Sequence, residues 1–327
     1  MHFTASRART IPRALGFLAL GAVTLGAAAA SRRAAPVGVS REALATAAAA
    51  VAAMAPSTDR SVLIGDSLYG RSGKLRARLV STRRVLQLPI LTQLFGDSAA
   101  LRPGIYPVPD STAVRPLALI TLLPFGEKKV GRIGSYRIGF WPGERRGARS
   151  AAYANPEGFI RVTPENEDTY VSEHFRLRDF LTHDQQDVWP KYLVLREDLI
   201  DKLELVIDDL NAHGVAVEQL SVMSGFRTPQ YNQQGVRKGG RARDSRHQFG
   251  DAADVYVDND GDGRMDDLNH DGRVNNRDVQ VLIDAVERVE TAHPDLVGGA
   301  GRYRANRMHG PFVHIDVRGQ RARWGNA

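Results

Sequence analysis

SRHQFGDAADVYV, residues 245–257, decides how this chain of 327 residues is read. Ala252, Asp254 and Tyr256 fall on alternate positions of a strand and so share one face of it. His247 lies seven residues before Asp254, an odd spacing that would set the two on opposite faces of one continuous strand. For both to reach one ion, His247 must come from a loop that bends back at Gly250, where glycine permits the turn. Imidazole and carboxylate both suit zinc, and the small Ala252 beside Asp254 leaves room for it.

Working outward, the chain closes with PFVHIDV at 311–317. Its alternation puts Phe312, His314 and Asp316 on one face and Val313, Ile315 and Val317 on the other, so the apolar set takes the core and the polar set faces a cleft. His314 would then be a third ligand, and His, Asp, His plus an open position is the ligand count of a catalytic zinc site. Between these strands a helix is expected from Asp278, with Val279, Leu282, Ile283, Val286 and Val289 on one side and Pro294 beyond its end. Upstream, Leu199, Leu203, Val206, Ile207 and Leu210 predict a helix over 196–213 stopped by Gly214. Leu220, Val222 and Ser224 then alternate with Ser221 and Met223 in a strand that runs into the turn SGFRTP.

The segment DNDGDGRMDDLNHDGRVNNRD at 258–278 is an acidic insertion. Asp267, Asn269, Asp271, Arg273, Asn275 and Asp278 occupy positions 1, 3, 5, 7, 9 and 12 of a calcium loop, with Gly272 at the turn position and Arg273 offering its backbone carbonyl. The helix after it matches the exit helix of an EF-hand or dockerin-like loop. Asp258, Asp260 and Asp262, with Asp266 and Gly263, form an overlapping set suited to a second calcium ion. Calcium is expected to be structural, ordering the rim of the zinc site.

Three motifs together resemble those of the zinc D-Ala-D-Ala carboxypeptidases and related peptidoglycan endopeptidases, whose fold is shared with the hedgehog signalling domain. Ser245, His247, Gly250, Ala252 and Asp254 fit S-x-H-x-x-G-x-A-x-D. Ser224, Gly225, Phe226, Arg227 and Pro229 fit S-G-[YF]-R-[ST]-P, and 312–316 resembles the F-V-H-x-D ending of one branch. Asn232 and the segment VSEHFRLRDFL at 171–181 also fit that branch, and the resemblance spans roughly 165–327. It implies an α+β fold with a small antiparallel sheet flanked by helices, zinc on His247, Asp254 and His314, and Arg227 binding a substrate carboxylate or stabilising an oxyanion. Many members of the family carry an acidic base three residues before the last ligand, where this chain has Pro311. Asp316, which can serve instead as an orienting partner, and His309 are the candidates for that base. The implied activity is hydrolysis of a peptide bond in peptidoglycan stems or cross-links, as carboxypeptidase or endopeptidase; the alternative is a non-catalytic, metal-holding cell-wall scaffold.

The remainder sets the context. With no cysteine, thiolate metal sites, cysteine nucleophiles and disulfides are excluded. Residues 1–150 hold 22 Lys and Arg against 7 Asp and Glu, whereas 151–327 hold 22 against 30. The basic half suits an anionic envelope surface; no nucleic-acid recognition motif accompanies the charge, so no nucleic acid is expected. Arg7, Arg9 and Arg13 precede the apolar run ALGFLALGAVTLGAAAA at 14–30, which reads as a signal peptide or signal anchor. Export to the periplasm or cell envelope follows, with membrane anchoring through that run left open. Residues 31–60 read as an Ala-rich linker. SVLIG, ALITLLPFG, GSYRIGFWPG and GFIRVTP within 61–164 suggest a small β-rich module preceding the catalytic domain at 165–327.

Overall fold

Short apolar runs in the first part of the chain and period-two alternation in the last part each build a sheet. The computed structural model describes residues 69–82, 102–107 and 117–325. The apolar run at 14–30, the linker at 31–60 and SVLIG lie outside them, and among the described residues no helix is long and apolar enough to cross a membrane.

The first sheet comprises β1 (Ala77–Ser81), β2 (Gly104–Pro107) and β3 (Ala118–Pro124). A two-stranded hairpin follows, β4 (Arg132–Ile133) and β5 (Tyr136–Arg137), and then the short helix α1 (Gly143–Arg146). The sheet resumes with β6 (Gly158–Val162) and ends with β7 (Lys191–Leu193), in the order β1-β3-β6-β7 with β2 also on β3. Because β6 pairs with β7, strands from either side of residue 165 share this sheet. Helix α2 (Glu197–Ala212) buries Leu199, Leu203, Val206, Ile207 and Leu210, the stripe its periodicity predicts.

The second sheet holds β8 (Leu220–Ser224), β9 (Ala252–Val257), β10 (Gly299–Tyr303), β11 (Phe312–Asp316) and β12 (Ala322–Trp324). Its order is β12-β10-β11-β9-β8, antiparallel except for the β10–β12 pair. Helix α3 (Pro229–Arg237) follows β8, and α4 (Asn276–Ala292) follows the acidic insertion. Helix α4 packs on α2, β10 and β11. Both helices turn their leucine and valine faces into one core with Val313, Ile315, Val255 and Val257. The fold is therefore α+β. In the core wall, Lys202 donates to Glu290 at 2.6 Å and to the Asp316 carbonyl at 2.9 Å, tying α2 and α4 to β11.

One expectation changes. Val313, Ile315 and Val317 do face the core, but Phe312, His314 and Asp316 are buried as well. On that face the His314 ring is met by the rings of His247 and of Trp324 from β12.

Candidate metal centre

Strand register alone brings two of the expected ligands together. In the antiparallel β9–β11 pair His314 stands opposite Asp254, and Asp316 opposite Ala252. On the other side of β9 an irregularity between Val222 and Ser224 sets Ser224 against Asp254; such bulges re-aim side chains beside functional sites. His247 comes from a 3-10 turn, Arg246–Phe249, ended by Gly250 at φ +68°. A Cβ on Gly250 would lie 2.3 Å from the Val194 carbonyl oxygen, so the left-handed backbone and the close approach both demand glycine. Trp141 Nε1 donates to the Gln248 carbonyl at 2.8 Å, and the buried Arg246 pairs with Asp251 and reaches the Ala152 carbonyl. Residues 141–152 thus brace the turn that presents His247. Asn232 is buried and donates to the Ala242 carbonyl at 3.0 Å, holding the segment before Ser245.

The three donor atoms converge. His247 Nε2 is 3.2 Å from Asp254 Oδ1 and 3.1 Å from His314 Nδ1, which is 2.9 Å from the same carboxylate oxygen. Zinc bonds of 2.0–2.1 Å in a tetrahedron place ligand atoms about 3.4 Å apart, so an ion fits with movements of a few tenths of an ångström. The outward nitrogens fix the tautomers. His247 Nδ1 faces the Gly225 carbonyl oxygen at 2.7 Å, and His314 Nε2 faces Asp316 Oδ2 at 3.1 Å. A ring nitrogen facing an acceptor carries the proton, which leaves lone pairs on His247 Nε2 and His314 Nδ1 pointing at the Asp254 oxygen. Three lone pairs turned on one point need a cation between them. His247, Asp254 and His314 form a group able to hold a metal ion.

Electrostatics agrees with that need. Burial drives the His247 imidazole down to about 4, against the pull of Asp254. Burial also opposes charge on His314, but its hydrogen bonds to Asp254 and Asp316 prevail and raise it. Asp254 resists burial and stays well below the usual carboxylate range because His247, His314 and Arg227 surround it.

Arg227 reaches the second Asp254 oxygen through Nη2 and donates from Nε to Ser224 Oγ at 2.8 Å. Among the described residues its Nη1 makes no hydrogen bond. Asp316 occupies an orienting position: fully buried, it meets His314 Nε2, takes the Gly299 amide at 2.7 Å and is clasped by Arg318. Burial resists its charge, but His314 and Arg318 hold it far below the usual carboxylate range, which suits it poorly to accept a proton. His309, the other expected base, contacts Asn306 and stacks edge-on against Phe312 at 4.8 Å.

Three contributors have weak sequence signals. Arg318 is recognisable only as the next cation after Asp316. Trp324 lies 5.1 Å from the His314 ring and donates to Tyr303 Oη at 3.1 Å; it crosses β10 over Gly301, where a Cβ would collide with the indole at 2.2 Å. His183 was outside every motif. Burial first, and then the charges of Arg227 and Arg241, lower its imidazole below the usual histidine value.

No family model and no curated protein matches this chain. Among solved structures it is similar to the L-Ala D-Glu endopeptidase ChiX of Serratia marcescens. The identity is 21%, the match covers 38% of this chain and 82% of that one, and the TM-score is 0.26.

In the acidic insertion the side chains expected at calcium positions also make hydrogen bonds within the loop. Asp278 is fully buried and accepts the amides of Leu268, Asn269 and Asn275 at 2.7–3.3 Å, and Asn275 is the N-cap of α4. The two residues expected at calcium positions 9 and 12 therefore start a helix: their side chains satisfy amide donors that a helix N-terminus leaves unpaired. Asp267 accepts from Asp271 and Gly272, Asn269 accepts from Asp271, and Asp271 pairs with Arg277 at 3.0 Å. Arg273 donates its amide to Asp271, while its carbonyl accepts from Asn275.

Proposed function

We propose that this chain is an exported zinc metallopeptidase that cuts a peptide bond in peptidoglycan stem peptides or cross-links. The observation that carries the catalytic part is the convergence of His247 Nε2, Asp254 Oδ1 and His314 Nδ1 at 2.9–3.2 Å with both outward ring nitrogens committed. The substrate class rests on the resemblance of the three motifs around those residues.

His247, Asp254 and His314 would hold the zinc, and a bound zinc would supply Lewis acidity, lowering the pKa of water from 15.7 to about 7. The rest is done by the chain. Arg227 keeps Asp254 ionised and turned toward the centre, and its remaining Nη1 stabilises negative charge on the substrate, either the oxygen of the attacked carbonyl or a terminal carboxylate. Asp316, neutralised by Arg318, holds the His314 ring with Nδ1 inward. Pro311 cannot take the proton released in the reaction and Asp316 is held too acidic for it, which leaves an imidazole as the acceptor. Trp324 and Tyr303 wall the His314 side.

The test is mass spectrometry of purified muropeptides incubated with the zinc-loaded protein beside its His247→Ala variant. A new product absent from the variant identifies the bond cut. No product from a folded, zinc-bearing protein would turn the reading to a cell-wall scaffold.

A further inference from the structure

Residues 258–266 and 267–275, DNDGDGRMD and DLNHDGRVN, repeat with a period of nine. The backbone repeats too. Gly263 and Gly272 both take φ near +79°. Each donates its amide to the first Asp of its own loop, Gly263 to Asp258 and Gly272 to Asp267. Asp262 and Asp271 each accept from the amide two residues on, that of Arg264 and of Arg273, at 2.8 and 3.0 Å.

The loops differ in what neutralises them. In the second, Arg277 pairs with Asp271, Asp278 and Asn275 cap α4, and position 3 is the neutral Asn269. In the first, the three alternating positions are all aspartates, and among the described residues no cation forms an ion pair with Asp258, Asp260 or Asp262. Each contributes a carboxylate oxygen within 4.8 Å of those of the other two. Oxygens bound to one calcium at 2.3–2.6 Å lie no more than about 5 Å apart. Asp258 is 4% exposed, and its Oδ1 is buried with no hydrogen-bond partner while Oδ2 takes Gly263 and Ser221. An unpartnered buried carboxylate oxygen costs several kcal/mol in general unless a cation or donor meets it.

The loop is also anchored in place. Asn259 staples its start to Ala216, Glu218 and Gln219, the Asp266 amide returns to the Val257 carbonyl, and Met265 is buried in the core. We infer that the loop at 258–266 binds one calcium ion through Asp258, Asp260 and Asp262, in preference to its neighbour at 267–275, where Arg277 pairs with Asp271 and position 3 is neutral. Flexible all-oxygen ligation of this kind suits calcium better than magnesium, which demands a near-ideal octahedron.

The experiment is calorimetric titration of the full-length, zinc-loaded chain with calcium chloride, with thermal denaturation of the same samples. Two variants are compared, Asp260→Asn/Asp262→Asn and Asp267→Asn/Asp271→Asn; Asp260 and Asp262 are exposed, so the first pair leaves packing untouched. The expected result is one calcium per chain with a raised thermal midpoint, an affinity lower by about tenfold or more in the first variant, and an affinity within about threefold of the parent in the second. Binding that survives the first variant and is lost in the second would overturn the assignment to 258–266. Absence of heat and of any thermal shift at millimolar calcium would overturn the site itself. Neither outcome depends on whether the protein is a peptidase.

Discussion

Asp254 lies in the middle of β9 and Asp258 one residue beyond its end, and the constellations they serve are built on different plans. Asp254 meets two imidazoles whose positions are set by sheet register and by a glycine-locked turn, and whose outward nitrogens are held by Gly225 and Asp316. Asp258 meets carboxylates presented by a loop whose shape comes from its own amide-to-carboxylate hydrogen bonds. A buried set of nitrogen and oxygen donors fixed from outside suits a small ion with tetrahedral demands, whereas an oxygen-only loop suits a larger, less exacting one. Two aspartates four residues apart thus serve constellations of different build, one fixed by the sheet and one by its own loop.

The largest effect expected is at the rigid site. His247→Ala and His314→Ala should each abolish stoichiometric zinc binding and hydrolysis while leaving calcium affinity unchanged; dialysis followed by elemental analysis reads both. Loss of calcium binding in either variant would break the separation of the two sites. Next, Arg227→Lys should lower kcat by about 10²–10³ with zinc content unchanged, because a lysine cannot hold Asp254 and a developing anion at once. An equal loss of zinc would make Arg227 a structural partner of Asp254 only. Asp316→Asn should cost about 10–100-fold in zinc affinity or activity, since the amide no longer fixes the His314 tautomer as a carboxylate does. An unchanged metal affinity and rate would remove Asp316 from the centre's support.

The smallest effect lies away from both sites and calibrates them. Hydrogen bonds from Arg323 and Arg321 hold Glu287 down to about 2, against 4.5 when free. A depressed carboxylate contributes stability above its unfolded value, and that contribution is lost as pH falls through the folded one. Glu287→Gln should therefore reduce stability slightly near neutral pH and flatten its fall between about 4.5 and 2, as acid titration of the metal-free protein would measure. Because Glu287 is partly exposed, solvent screening keeps the effect small.

The rigid site was more legible in the sequence than the loop, for a physical reason. The odd spacing of His247 and Asp254 requires a reversal, and Gly250 supplies it; alternation on β11 places His314, and the apolar stripes give α2 and α4. Those are local periodicities. Hidden from them were the bulge that seats Ser224 against Asp254, the brace from Trp141 and Ala152, and the indole of Trp324 over Gly301, all of which depend on long-range pairing. In the insertion the same Asp and Asn pattern serves calcium loops, turns and helix caps alike, because each uses a short side-chain oxygen close to backbone amides. Asp278 answers both a twelfth-position ligand and an N3 cap, and sequence alone does not separate the two roles.

The account turns most directly on the ion proposed for the centre, which zinc K-edge X-ray absorption of the full-length chain with one equivalent of zinc reads without reference to any substrate. The expected spectrum has a four-coordinate shell of two imidazole nitrogens and two oxygens at about 2.0–2.2 Å, with the imidazole signal reduced in His314→Ala. An oxygen-only shell, unchanged by that substitution and lost in Asp260→Asn/Asp262→Asn, would place the ion in the acidic loop and contradict the metal centre.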